Sequence, residues 1–97
     1  MNPANRREAL RELHLDTKEG ADMVMVKPAS WYLDIISDFR IRSKVPVVAY
    51  QVSGEAAMIE LLAKNKMTDR KRAIDESILS IFRAGADVVV TYFAMDL

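Results

Sequence analysis

The sequence has no cysteine, a single histidine, three glycines and three prolines in 97 residues. Without cysteine, neither a disulfide framework nor a thiolate-ligated zinc site can be built from these residues. The lone His14 has no second histidine to share a metal. Nothing in the chain forms a glycine-rich phosphate loop or a nucleophile elbow, so phosphate cradling and Ser-His-Asp hydrolysis are set aside. There is also no excess of either charge, with 14 Lys plus Arg against 14 Asp plus Glu. That balance argues against a nucleic-acid or anionic-membrane surface, both of which need a basic excess. No apolar run approaches the ~18 residues of a membrane span, and no charged-then-apolar segment opens the chain. The expectation is a soluble, cytoplasmic protein.

What remains is an ordinary globular balance, 51% hydrophobic and 29% charged, arranged with a clear alternation. Gly20-Ala21-Asp22 leads into Met23–Lys27, and Gly85-Ala86-Asp87 leads into Val88–Tyr92. In each, a glycine suited to the left-handed stop after a helix precedes a short apolar run. Val45–Val52 is a third such run, with its proline at the start, where strands tolerate one. All three are nearly continuous in apolar character, which predicts a parallel sheet covered on both faces.

The intervening stretches have helical spacing. Ala9, Leu10 and Leu13 mark a helix beginning after Asn5 and ending before Gly20. Tyr32, Ile35, Ile36 and Phe39 mark one over Ser30–Arg40. Met58, Leu61 and Leu62 mark a short helix after Gly54-Glu55, and Ile74, Ile78 and Ile81 a longer one opened by Thr68-Asp69. The order helix, strand, helix, strand, helix, helix, strand predicts parallel strands joined by helical crossovers, in one segment spanning 1–97.

In such architectures ligands gather at the carboxyl ends of the strands. Seven residues beyond Gly20 stands Lys27, seven beyond Gly85 stands Tyr92, and seven beyond Pro46 stands Ser53. Strand parity groups Met23 and Met25 with Lys27, Val47 and Ala49 with Ser53, and Val88 and Val90 with Tyr92. All three polar residues are therefore expected on one side of the sheet. At the end of an apolar strand desolvation favours the neutral lysine amine, the form that attacks a ketone to give a Schiff base. The alternative is a solvated lysine. Ser53 either binds a carboxylate with the backbone N–H groups of the following helix start or simply caps that helix. Tyr92 either donates its phenol to the same carboxylate or closes the end of the sheet with an amphipathic ring. Tyr50, near the same rim, either covers a bound ligand or packs in the core, and core packing is the preferred reading. Glu12, Asp16 and Glu19 share a helix and either contribute to a hard-cation site or form a solvated acidic face.

These residues fall into longer motifs. Met1-Asn2-Pro3-Ala4-Asn5-Arg6-Arg7-Glu8-Ala9, Gly20–Ala29 with its Val26-Lys27-Pro28, Tyr32–Ile36, Ala49-Tyr50-Gln51-Val52-Ser53-Gly54-Glu55 and Thr91-Tyr92-Phe93-Ala94 resemble porphobilinogen synthase, also called δ-aminolevulinic acid dehydratase. The resemblance covers essentially the whole chain in order. It implies part of a TIM (β/α)₈ barrel, about three parallel strands with crossover helices. The implied activity condenses two molecules of 5-aminolevulinate to porphobilinogen with loss of water, through lysine Schiff bases, in tetrapyrrole (heme) biosynthesis. By the same resemblance Lys27 is the Schiff-base lysine, Ser53 and Tyr92 hold that substrate's carboxylate, and Glu12 contributes to an allosteric magnesium between subunits. Zinc or magnesium in the full-length enzyme and a homo-oligomer, commonly an octamer, are implied too.

The family's second lysine, the arginines for the other substrate and the Cys- or Asp-rich metal segment have no counterpart in these residues. Ser30-Trp31 and Lys64-Asn65-Lys66 also depart from the family's usual forms. The expectation is thus a C-terminal portion of a barrel that needs ~250 residues, inactive alone. The competing readings are a non-catalytic α/β relic or interaction fragment and another Schiff-base barrel enzyme such as a class I aldolase, the latter disfavoured by Tyr50–Glu55.

Overall fold

A computed structural model describes residues 5–97; the first four residues of the Met1–Ala9 motif lie outside the described residues. The elements run α1 (Arg6–Lys18), β1 (Val24–Val26), α2 (Leu33–Arg42), β2 (Val47–Gln51), α3 (Ser53–Lys64), α4 (Arg70–Ala84) and β3 (Val88–Thr91). A 3₁₀ turn at Ser30–Tyr32 precedes α2, so the helix expected from Ser30 starts its α-helical part at Leu33.

Local chemistry explains the boundaries. Asn5 caps α1, its side-chain oxygen accepting from the N–H groups of Arg7 at 3.1 Å and Glu8 at 3.2 Å, which satisfies two orphan donors of the first turn. Asp69 caps α4 in the same way through the Lys71 N–H at 3.2 Å. Gly20 and Gly85 both take positive φ, +91° and +125°, so the chain turns sharply out of α1 and α4. Gly85 is held to glycine a second time. A Cβ there would stand 2.7 Å from Cβ of Arg40, so α2 passes too close for any side chain.

The three strands are parallel in the order β1-β2-β3. Val24 pairs with Val47, Met25 with Val48 and Val26 with Ala49; Val48 then pairs with Val88 and Tyr50 with Val90. One face of the sheet therefore carries Val24, Val26, Val47, Ala49, Gln51 and Val89. The helices cover it, and Ile36 of α2 with Ile74 and Ile81 of α4 are the largest fully buried side chains. A smaller cluster of Ala56, Ile74, Ile78 and Phe93 joins α3 and α4 to the end of β3.

The opposite face carries Met25, Val48, Tyr50, Val88 and Val90, and most of it is exposed. Two expectations are corrected here. The sheet is covered on one face among the described residues, not both. Val47 and Ala49 lie against the helices rather than beside Met25, because the parallel register sets Met25 opposite Val48. Continuous apolar strands read alike on either parity, and pairing alone decides which face is which. Among the described residues no helix is long and apolar enough to cross a membrane.

Candidate active site

Lys27, Ser53 and Tyr92 all stand at the carboxyl end of the sheet. Lys27 follows β1 directly, Ser53 is the first residue of α3 two positions past β2, and Tyr92 follows β3. Lys27 stands one residue past β1 and Tyr92 one residue past β3; both are exposed, and the Tyr92 ring lies beside Tyr50 of the open face. The apolar enclosure expected around the Lys27 amine is not formed by the described residues. Strand parity does not carry to Ser53, since the backbone has left the strand. Nor is Ser53 the helix cap. Val52 occupies that position, and the Ser53 hydroxyl takes no side-chain hydrogen bond among the described residues. The N-cap alternative for Ser53 is thereby removed.

Tyr50 also departs from expectation. It lies on the open face opposite Val90, half-buried, and its ring centroid is 6.5 Å from that of Tyr92 at a 51° tilt. The Tyr92 phenol beside it raises the Tyr50 hydroxyl above its ordinary value. Two phenols thus edge the open face next to β3, and core packing is not the role of Tyr50.

Two buried polar side chains build this end of the sheet, Gln51 at 0% exposure and Glu55 at 5%. Buried polar groups are costly unless they are bonded, and both are. Gln51 lies on the helix-covered face. Its Nε2 donates to Ser77 Oγ on α4 at 3.0 Å, and its Oε1 accepts from Thr91 Oγ1 on β3 at 2.6 Å. Thr91 Oγ1 in turn accepts from the N–H of Phe93 at 3.2 Å. The turn that presents Tyr92 is therefore closed on Thr91, which is itself tied to the middle strand. Arg70 braces its far side, with its guanidinium 5.6 Å over the Phe93 ring and ion-paired to Glu60 at 2.6 Å and Asp96 at 3.3 Å.

Glu55, third in α3, accepts the N–H of Val52 at 2.7 Å, half of a capping box. The same carboxylate accepts the N–H groups of Ala29 at 3.2 Å and Ser30 at 2.7 Å, in the loop that follows Lys27. Sequence reasoning assigned no role to Gln51 or Glu55. The available signals were a glutamine ending an otherwise apolar strand and a glutamate at the third position of a helix.

Glu12, Asp16 and Glu19 do not line one common cleft. Glu12 lines a cleft with Glu8, Arg7 and Arg11, whereas Asp16 and Glu19 line another with Met23 and Met25. No group of three or more His, Cys, Asp or Glu side chains is placed to hold a metal among the described residues. The zinc or magnesium implied by the sequence thus finds no ligand set here. Glu12, flanked by two arginines, could supply one carboxylate and no more. His14 lies exposed beside Lys18, Arg42 and Lys44.

Comparison with known proteins adds to this geometry. The family model described as Delta-aminolevulinic acid dehydratase matches residues 1–97. The Delta-aminolevulinic acid dehydratase of Staphylococcus aureus is 55% identical over 97 residues, which is 100% of this chain and 30% of that protein. Its Staphylococcus epidermidis counterpart is 54% identical over the same 97 residues. Among solved structures, delta-aminolevulinic acid dehydratase (porphobilinogen synthase) from Toxoplasma gondii, in complex with the reaction product porphobilinogen, superposes with a TM-score of 0.96 and 49% identity. That match covers 99% of this chain and 27% of the other. The chain spans about 30% of the length of the curated relatives it matches.

Proposed function

The chain belongs to the delta-aminolevulinic acid dehydratase family, and from that premise we propose that it supplies one lysine Schiff-base site of a porphobilinogen synthase. The whole enzyme would condense two 5-aminolevulinate molecules to porphobilinogen, in the cytoplasm and as a homo-oligomer. The fold is a three-stranded slice of that family's TIM barrel, with the helices outside. Its open sheet face therefore corresponds to the barrel interior.

The single observation carrying the reading is that Lys27 and Tyr92 both stand exposed at the carboxyl end of the sheet, in a chain matched to the family along its whole length. Active sites of barrel enzymes lie at that end. In the proposed chemistry the neutral Lys27 amine adds to the substrate ketone. The carbinolamine loses water and leaves an imine whose carbon–nitrogen double bond draws electrons from the adjacent carbon. The Ser53 hydroxyl and the Tyr92 phenol donate hydrogen bonds to the substrate carboxylate and so fix which ketone reaches Lys27. Tyr50 lies against Tyr92 and shields one side of that contact. Glu12 is left with a single carboxylate's share of a magnesium completed by another subunit.

Borohydride reduction in the presence of 5-aminolevulinate, followed by peptide mass mapping, tests the reading. One substrate-dependent adduct on the Lys27 peptide is expected, with no porphobilinogen released by the chain alone. A folded sample without that adduct contradicts it and favours the non-catalytic reading.

A further inference from the structure

The Glu55 carboxylate binds two separate pieces of backbone, and both lead to residues of the site. One oxygen accepts the N–H groups of Ala29 and Val52, and the other accepts that of Ser30. Ala29 and Ser30 are the second and third residues after Lys27, while Val52 is the residue before Ser53. Ala29 is itself fully buried, and its N–H also reaches the Tyr50 carbonyl at 3.1 Å. A helix cap alone requires only the Val52 bond. The bonds to Ala29 and Ser30 span 26 and 25 residues of sequence and contribute nothing to the capping of α3.

From this geometry we infer that Glu55 is a positioning residue, which holds the Lys27 loop and the Ser53 turn at a fixed separation for a keto acid that bridges them. The inference rests on the reading of Lys27 as the Schiff-base lysine. A keto acid such as 5-aminolevulinate places its ketone and its carboxylate several bonds apart. It reacts only where amine and carboxylate donors stand at the matching spacing. A ketone without a carboxylate needs the amine alone. Glu55 therefore governs selectivity between the two kinds of ketone and leaves the intrinsic reactivity of Lys27 untouched.

Glu55→Gln replaces one accepting oxygen with an NH₂ that opposes a backbone N–H. Glu55→Asp keeps the charge but is one methylene too short to reach both loops. The full 97-residue chain is treated with borohydride and either 5-aminolevulinate or butanone, and the adduct on the Lys27 peptide is quantified for each. In both variants 5-aminolevulinate trapping is expected to fall on the order of ten- to a hundredfold, with butanone trapping unchanged. A parallel fall with both ketones marks a merely structural role and overturns the inference, as does no fall with either. An absent 5-aminolevulinate adduct in the unsubstituted chain overturns the underlying Lys27 reading instead, and this role of Glu55 with it.

Amide hydrogen exchange of the unsubstituted chain needs no variant to fold. Ala29, Ser30 and Val52 are expected to exchange slowly, and more slowly still once the adduct has formed. Exchange at open-loop rates, unaltered by the adduct, overturns the inference.

Discussion

The two ends of the three-stranded sheet are held together by different physics. At the amino end the ties are solvent-exposed ion pairs. Asp87 accepts the Val47 N–H at 2.9 Å and pairs with Arg40, bridging β3, β2 and α2, and its carboxyl is held below its ordinary value first by that backbone bond. Away from that end, Arg6 at the start of α1 makes a bidentate pair with the half-buried Asp38, joining α1 to α2. At the carboxyl end the exposed Arg70 pairs are joined by two buried ties, Glu55 bonded to the loop after Lys27 and to Val52, and Gln51 bonded to α4 and β3. Exposed pairs are screened and contribute little, whereas a buried polar group that loses its partner is costly. The end that carries the candidate chemistry thus rests on buried polar groups, whereas the exposed Arg40–Asp87 pair at the opposite end tolerates change.

The largest expected effect is chemical. Lys27→Arg keeps the charge but cannot form an imine, because a guanidinium stays protonated. The 5-aminolevulinate adduct should vanish, while urea midpoints indicate a stability change within about 0.5 kcal/mol. A loss of stability as large as the loss of reactivity would dissolve the distinction between site and scaffold.

Next is Gln51→Leu, which strips the buried Thr91 hydroxyl of its acceptor and Ser77 Oγ of a donor. Chemical denaturation should register about 1–3 kcal/mol of destabilisation, together with weaker 5-aminolevulinate trapping as the Tyr92 turn loosens. A smaller effect awaits at the amino end. Asp87→Asn keeps an oxygen for the Val47 N–H and loses only the Arg40 pair, so it should destabilise less than Gln51→Leu and leave trapping unaltered.

The smallest effect is a pH dependence. The Arg6 hydrogen bond holds Asp38 below its ordinary value, as the Val47 N–H does Asp87. Lowered carboxyl values stabilise the fold above the ordinary carboxylate range of about 4, and that contribution is lost as pH falls through the native values. Denaturation midpoints should be flat from neutrality down to about pH 5 and decline below about pH 4. Asp38→Asn combined with Asp87→Asn should flatten the decline.

Much of this was legible from residue types. Asn5 and Asp69 announced helix starts, Gly20 and Gly85 announced helix ends, and the apolar runs between them were strands. Lys27 and Tyr92 stand out as candidates because a polar residue ending an apolar strand is conspicuous. Illegible was whatever depended on pairing. Val47 and Ala49 were assigned to the wrong face because register is set by the neighbouring strand. Tyr50 followed the same error. Glu55 gave the signature of a helix start and concealed its second task, since the partners Ala29 and Ser30 lie on another loop. Gln51 was hidden in its motif for a similar reason, its partners Thr91 and Ser77 lying 40 and 26 residues away.

On the proposed function, the carboxyl end assembles one keto-acid site from three loops held by buried polar ties. A crystal structure of the borohydride-reduced 5-aminolevulinate adduct tests it most directly. The expected result is a secondary amine linking Lys27 Nζ to the former ketone carbon, with the substrate carboxylate accepting from Ser53 Oγ and Tyr92 Oη and the Glu55 bonds intact. A carboxylate bound elsewhere, or an adduct on a different lysine, would contradict the account.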